Sequence, residues 1–276
     1  MASRSQPCAD VKNARTEAEP SAALRVLDLF SGLGAYSLGL ERTGGFKTVA
    51  FCEINEFCRR VLRRHWTDVP IYDDVTTLTG AGLRAAGVVP DWIVAGWPCQ
   101  GISSAGTGLG LDDARSGLWT EVARLAGELR PQGLLLENSS NLLSINGGAD
   151  FGRVLGDLAA LGYDAEWHCL PAAAFDAPHI RDRLWIVATL ADAHRLAPVG
   201  TAIARLERHS WEPEPDVGRV ATGVADRVER LHALGNLNPP IVPEVVGRAI
   251  LTSLQDAQPG EAARNASPLG NSGRTQ

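Results

Sequence analysis

The 276-residue sequence has almost no lysine: Lys12 and Lys47 are its only two, and arginine carries the rest of the positive charge. Arginine suits planar, bidentate contacts to phosphate and guanine, although a bias in genome composition produces the same imbalance. The formal net charge is -6, which argues against strong nonspecific binding to a polyanion and leaves room for a local basic face. The cysteines Cys8, Cys52, Cys58, Cys99 and Cys169 form no CxxC pair and are odd in number. Neither a disulfide framework nor a zinc or other metal site is expected from them. No apolar run approaches the roughly 18 residues that span a bilayer. The N-terminus also lacks a basic-then-apolar signal pattern, so a cytoplasmic protein without a membrane partner is expected.

What is present suits a folded domain, with 45% apolar and 21% charged residues. The length accommodates one α/β domain, with a small appendage at most. Residues 1–22 and 256–276 are polar and aperiodic, and both read as tails. There is no internal repeat.

The chain is organised around Asp91-Trp-Ile-Val-Ala-Gly-Trp-Pro98-Cys99-Gln100. Trp92 to Ala95 reads as a buried parallel strand. Gly96-Trp97-Pro98 ends it and fixes the backbone where a thiol is presented. The glycine-rich stretch from Gly101 to Gly110 that follows has the composition of a loop able to close over a ligand. A cysteine at the carboxyl end of a strand sits on the edge where open α/β sheets place their chemistry, although most cysteines are inert buried thiols.

Around it the pattern alternates strand and helix. Leu24 to Asp28 is a strand leading into Leu29-Phe30-Ser31-Gly32-Leu33-Gly34 and a helix through Arg42, a unit that cradles nucleotides. The dinucleotide form GxGxxG fails, because Ser37 stands at the third glycine position. Strand Thr48–Cys52 ends in Glu53, placed where an acid would accept hydrogen bonds from ribose hydroxyls. A helix follows from Asn55 to Trp66. Val69 to Tyr72 reads as the third strand, Trp92 to Ala95 as the fourth and Gly133 onward as the fifth. Glu137 and Asn138 lie at the carboxyl end of the fifth, with Glu137 positioned to hold or donate a proton. After a helix from Phe151 to Leu161 come strands Ala165–Leu170 and Leu184–Ala188. Arg181 and Arg183, two apart, would project to the same side of an extended segment. The pattern weakens from Leu190 to about Arg230, and a helix from Val242 to Leu254 closes the fold.

Asp28-Leu-Phe-Ser-Gly-Leu-Gly34, Pro98-Cys99-Gln100, Glu137-Asn138, Arg181-Asp-Arg183 and Gly235-Asn236 occur in the order that marks the cytosine-5 DNA methyltransferase family, which the sequence resembles over residues 24–190 and 231–254. The resemblance implies a Rossmann-like, mostly parallel sheet with flanking helices, plus a small irregular target-recognition lobe. It divides the chain into a catalytic domain at 23–189, the lobe at 190–231, and a final motif and helix at 232–255. It implies S-adenosylmethionine as cofactor, set against Phe30, Gly32, Gly34, Glu53, Ile54, Asp74, Val75, Pro98, Leu118 and Asn236. Cys99 would be the nucleophile, Glu137 would hold the cytosine ring, Arg181 and Arg183 would orient it, and Gln100 and Ser103 would contact DNA. Duplex DNA would be the substrate of a monomeric enzyme, accompanied by a cognate restriction enzyme. The chemistry needs these residue types. A thiolate adding at C6 makes C5 nucleophilic, an acid at N3 stabilises the displaced charge, and the cytosine must be flipped out of the duplex.

The resemblance has two departures. The lobe is short for a recognition domain, and the final motif reads Gly235-Asn236-Leu237-Asn238-Pro239-Pro240 where aliphatic residues more often follow the asparagine. Three other readings stand beside it. One is a tRNA cytosine methyltransferase of the same fold, one a nicotinamide-dependent oxidoreductase, and one a DNA-binding protein without activity.

Overall fold

The computed structural model describes residues 22–103, 108–175, 177, 179–190, 200, 201, 203, 229, 233 and 237–256. Seven strands form one sheet: β1 (Leu24–Leu29), β2 (Phe46–Cys52), β3 (Ile71–Tyr72), β4 (Trp92–Gly96), β5 (Gly133–Ser139), β6 (Tyr163–Pro171) and β7 (Asp182–Leu190). Their spatial order is β3-β2-β1-β4-β5-β7-β6. β7 pairs antiparallel with both β5 and β6, so it alone opposes the others. The described helices are α1 (Ala35–Arg42), α2 (Glu56–His65), α3 (Gly80–Ala85), α4 (Trp119–Leu129), α5 (Ala149–Ala160) and α6 (Ile241–Asp256). None of them is long and apolar enough to cross a membrane.

The near-continuous apolar strands follow from a sheet covered on both faces. Leu27, Ile93, Leu134, Leu136 and Ile186 join one core with Leu125 and Val122 of α4 and Val154 and Leu158 of α5. Their alternate neighbours Val26, Val94, Leu135 and Val187 face the other way, against Leu40 of α1 and Val246 and Ile250 of α6. Period-two alternation thus divides each strand between two hydrophobic layers. The sequence-expected strands and long helices correspond to elements of this architecture. α3 had no sequence counterpart, and β3 is shorter than the expected Val69–Tyr72.

The strand order reverses between β1 and β4, so the connections leaving them diverge and open a crevice at the carboxyl edge. The turn after β1, Glu53 after β2, Cys99 after β4 and the last residues of β5 all lie on that edge. Because β7 runs backwards, its first residues arrive there as well: Arg183 stands opposite Ser139.

Beneath the crevice, Asp28 is fully buried in β1 and accepts a 2.7 Å hydrogen bond from the Ser37 hydroxyl. Ser37 at the third glycine position therefore serves a buried acid. Burial pushes the Asp28 carboxyl up to about 7. A carboxyl raised above its unfolded value binds its proton more tightly when folded. Its stabilising contribution is full below the unfolded value of about 3.9 and is lost as pH climbs to about 7. Asp28→Asn should abolish this part of the pH dependence and raise stability at pH 8, by about 1.4 kcal/mol for each pH unit separating the two values. Urea unfolding of both proteins at pH 4.5 and 8 checks it: equal gaps between the proteins at the two pH values would refute the assignment.

Candidate active site

The turn after β1 is built from left-handed backbone. Phe30 has φ 55°, Gly32 φ 53° and Gly34 φ 80°. At Gly34 a side chain is also excluded by space, since a Cβ would lie 2.7 Å from the Trp66 ring. The Gly32 amide donates to Glu53 Oε2 at 2.7 Å, and the Asn55 amide donates to Glu53 Oε1 at 2.8 Å. Glu53 thereby fastens the glycine turn to the end of β2. Its carboxylate keeps further lone pairs for hydroxyl donors. Asn55 caps α2 by accepting from the amides of Phe57 and Cys58. Between them Ile54 is 75% exposed, an apolar side chain left open beside an acid.

The β4 end is held by its neighbours. Asn138, buried in β5, donates to the Trp97 carbonyl at 3.1 Å. The Cys99 carbonyl accepts from the amides of Ile102 and Ser103 at 2.9 and 2.8 Å, which makes a tight turn of Pro98–Ser103. The Gly101 amide donates to the Ser116 hydroxyl at 2.9 Å, and the Gly110 amide donates to the Gly101 carbonyl at 2.8 Å. Asp150 accepts from the Leu111 amide at 3.1 Å. The neck of the glycine-rich loop is therefore pinned on both sides; residues 104–107 lie outside the described residues.

One cavity of about 290 Å³ joins these parts. The β1–β2 side contributes Phe30, Gly32, Glu53 and Ile54. The β4, β5 and β7 side contributes Pro98, Cys99, Gln100, Glu137, Arg181 and Arg183. Gly34, Asp74, Val75, Leu118 and Ser103 are not among its lining residues. Val75 is in the core, and Leu118 packs against it. The Asp74 carboxylate caps a turn by accepting from the Thr76 amide and hydroxyl. Ser103 is near the thiol, where its hydroxyl favours the ionised form, and its amide donates to the Cys99 carbonyl. Asn236, like most of the 190–231 stretch, lies outside the described residues.

Glu137 is 8% exposed, and both of its carboxylate oxygens are engaged. Arg183 Nε lies 3.1 Å from Oε1, and the Tyr36 hydroxyl donates to Oε2 at 2.8 Å. Arg181 does not extend the β7 pleat as the sequence spacing predicted. Its φ of 31° breaks the alternation, and its Nε donates instead to Asn238 Oδ1 at 2.8 Å. Half-buried Cys99 has its thiol pushed above the ordinary value, first by burial and then by the Glu137 charge, against the opposing Arg183. The thiol is thus protonated near neutral pH until something shifts that balance. Tyr36, Asn138 and Asn238 were missed as site residues from sequence. The signals were an aromatic in the first turn after the glycines, and an amide where an aliphatic residue is usual.

A thiol, a fixed carboxylate and two guanidiniums beside a glycine turn and a second acid, all at a topological switch point, define a two-compartment α/β site. One compartment suits a nucleoside-like group, and the other suits nucleophilic attack on a polar ring. The chain belongs to the C-5 cytosine-specific DNA methylase family, whose model matches residues 24–232. It is 35% identical over 171 residues to the type II methyltransferase M1.ScrFI of Lactococcus lactis subsp. cremoris, covering 62% of this chain and 43% of that one. It is 34% identical over 164 residues to M.DsaV of Dactylococcopsis salina, also a type II methyltransferase, covering 59% and 45% respectively. The chain thus spans less than half the length of these relatives. The structure of the Entamoeba histolytica methyltransferase EhMeth shares the fold, with a TM-score of 0.61 at 12% identity over 85% of this chain and 99% of that one.

Proposed function

We propose that the protein is a DNA cytosine-5 methyltransferase acting through a covalent Cys99 adduct. The observation that carries the reading is that Cys99 and Glu137 open into the same cavity as the Gly32–Glu53 pair. That second compartment fits S-adenosylmethionine. Glu53 offers acceptors for ribose hydroxyls, Ile54 an exposed apolar surface for adenine, and the left-handed turn a backbone that a ligand can approach closely. Phe30, Gly32, Glu53, Ile54 and Pro98 would hold it, with Asn236, Asp74, Val75, Leu118 and Gly34 proposed around them. When bound, it supplies the electrophilic methyl group.

The chain's own residues do the rest. Cys99, as thiolate, forms a bond to C6 of a flipped-out cytosine, and the ring's π electrons move toward C5 and N3. Glu137, donating a proton to N3 as the ring gains charge, neutralises that charge, while Arg183 steadies the carboxylate so formed and Arg181 orients the ring. Once C5 is methylated and has lost its proton to water, N3 returns its proton to Glu137, the C6–S bond breaks and Cys99 leaves as thiolate. Gln100 and Ser103, on the turn at the cavity mouth, would contact the DNA. The type II designation of M1.ScrFI and M.DsaV supports a restriction enzyme as companion. The protein is expected to act as a monomer.

The test is to mix the protein with S-adenosylmethionine and duplex DNA containing 5-fluorocytosine. Fluorine does not leave as the proton does, so a denaturation-resistant protein–DNA band is expected. A band on similarly substituted tRNA but not on DNA would replace the DNA reading with the RNA one, and no band on either would defeat the covalent mechanism.

A further inference from the structure

Asn238 is a polar side chain only 4% exposed, on the loop where an aliphatic residue is usual. Burying an amide is costly unless both ends are bonded. Here both are. Its Nδ2 donates to the Tyr36 hydroxyl at 2.9 Å, and its Oδ1 accepts from Arg181 Nε at 2.8 Å. The Tyr36 hydroxyl in turn donates to Glu137 Oε2 at 2.8 Å. The direction of this chain is forced. A guanidinium can only donate, so the amide oxygen faces Arg181 and the amide nitrogen faces Tyr36. The tyrosine oxygen receives that hydrogen, and its own goes to Glu137. Burial and the Glu137 charge push the Tyr36 phenol well above its ordinary value, so it remains a donor.

The surrounding backbone is shaped for the arrangement. A Cβ at Gly96 would lie 2.5 Å from the Tyr36 hydroxyl, and one at Gly39 would run into the Pro240 carbonyl. Two bare positions, one on β4 and one on α1, let the ring and the last loop meet.

We propose that Tyr36 and Asn238 are positioning residues that fix the carboxylate plane of Glu137 for its contact with the target base. The proposal rests on the methyltransferase reading above. A carboxylate turns easily about its last torsion, and one anchor leaves it free to do so. Arg183 on Oε1 and Tyr36 on Oε2 together fix the plane. Tyr36 lies in the first turn after the glycines, and Asn238 leads into α6. The orientation of Glu137 therefore depends on how the glycine turn and the last loop are seated.

Single-turnover methyl transfer and steady-state constants, measured on 5-cytosine DNA well below the melting temperature, test this. Tyr36→Phe should lower kcat about ten- to a hundredfold, with KM for DNA and cofactor within about twofold of wild type. Asn238 supplies the sharper comparison. Asn238→Leu leaves the Tyr36–Glu137 bond in place. Asn238→Asp, nearly isosteric and able to pair with Arg181, offers Tyr36 a competing acceptor and draws its hydrogen away from Glu137. Positioning therefore requires the aspartate variant to be slower than the leucine variant, whereas a packing role requires the reverse order. A kcat for Tyr36→Phe within twofold of wild type, or leucine slower than aspartate, overturns the proposal. A wild-type protein that methylates no cytosine overturns instead the reading beneath it.

Discussion

Cys99→Ser should remove methyl transfer to cytosine, by at least about a thousandfold, while leaving the fold intact. The cavity explains both halves of this expectation. Addition at C6 needs an anion that is strongly nucleophilic and able to leave again, which a thiolate provides and an alkoxide near neutral pH does not. A serine nucleophile would need a general base, and there is no histidine among the described residues that line the cavity. Glu137 is committed to Arg183 and Tyr36, and the arginines can only donate. The structural cost is small because Cys99 is half-buried on a turn. That turn is held through the Cys99 carbonyl and through the Asn138 bond to Trp97, neither of which involves the thiol. Incorporation of labelled methyl groups into DNA, beside a thermal melt, reads both. A serine variant with measurable turnover would show that Cys99 is not the nucleophile. A variant that melts far below wild type would show that the thiol also supports the fold.

Why was Cys99 legible from the sequence when Tyr36 and Asn238 were not? The thiol announces itself locally, because an apolar strand runs into Gly-Trp-Pro and then a cysteine. Glu137 does likewise after three leucines, as does Glu53 after β2. Each signal lies within a few residues of a strand end, and strand ends lie on one edge of an α/β sheet. The Tyr36–Asn238 bond joins residues 202 positions apart, and only the packing of α1 against α6 brings them together. The direction of β7 was hidden for a related reason. A strand covered on both faces reads as an apolar run whichever way it points, so nothing in Leu184–Ala188 reveals that it opposes its neighbours. Yet that reversal delivers Arg183 to the carboxyl edge beside Glu137. The Arg181–Arg183 spacing put both guanidiniums on one side, and both do line the cavity, but not through extended backbone, since Arg181 has a φ of 31°. α3 escaped because Gly80 and Gly82 resemble a loop. It is started by the Thr79 hydroxyl accepting from the Gly82 amide at 3.1 Å, and by Glu128 of α4 accepting from the Gly80 amide at 2.6 Å.

Glu137→Gln should move two observables in opposite directions. Methyl transfer should fall by about 10²- to 10⁴-fold, because an amide can hydrogen-bond the N3 side of the ring but has no proton to transfer to it. A glutamine also has one acceptor oxygen where Arg183 and Tyr36 now use two. Alkylation of Cys99, in contrast, should become faster at pH 8. The sign follows from what holds the thiol: burial suppresses its ionisation most, the Glu137 charge suppresses it further, and Arg183 favours it. Removing the carboxylate charge takes away an anion that favours the protonated form and leaves the Arg183 charge unopposed by it. The thiolate fraction rises, and alkylation rises with it, up to about tenfold for each pH unit of downward shift. Burial holds the Cys52 and Cys58 thiols up at about 12 and 11, and the exposed Cys169 reacts in both proteins and serves as an internal reference. Peptide mapping after iodoacetamide treatment separates the Cys99 peptide from those of the other four cysteines, and alkylation of Cys52 would reveal unfolding rather than activation. Slower alkylation at Cys99 would mean that the carboxylate does not govern the thiol. Faster alkylation with undiminished methyl transfer would mean that Glu137 tunes the nucleophile but does not hold the base. Loss of transfer with gain of thiol reactivity is the outcome that assigns both roles to one side chain, and it separates the acid's work on the ring from its work on the sulfur.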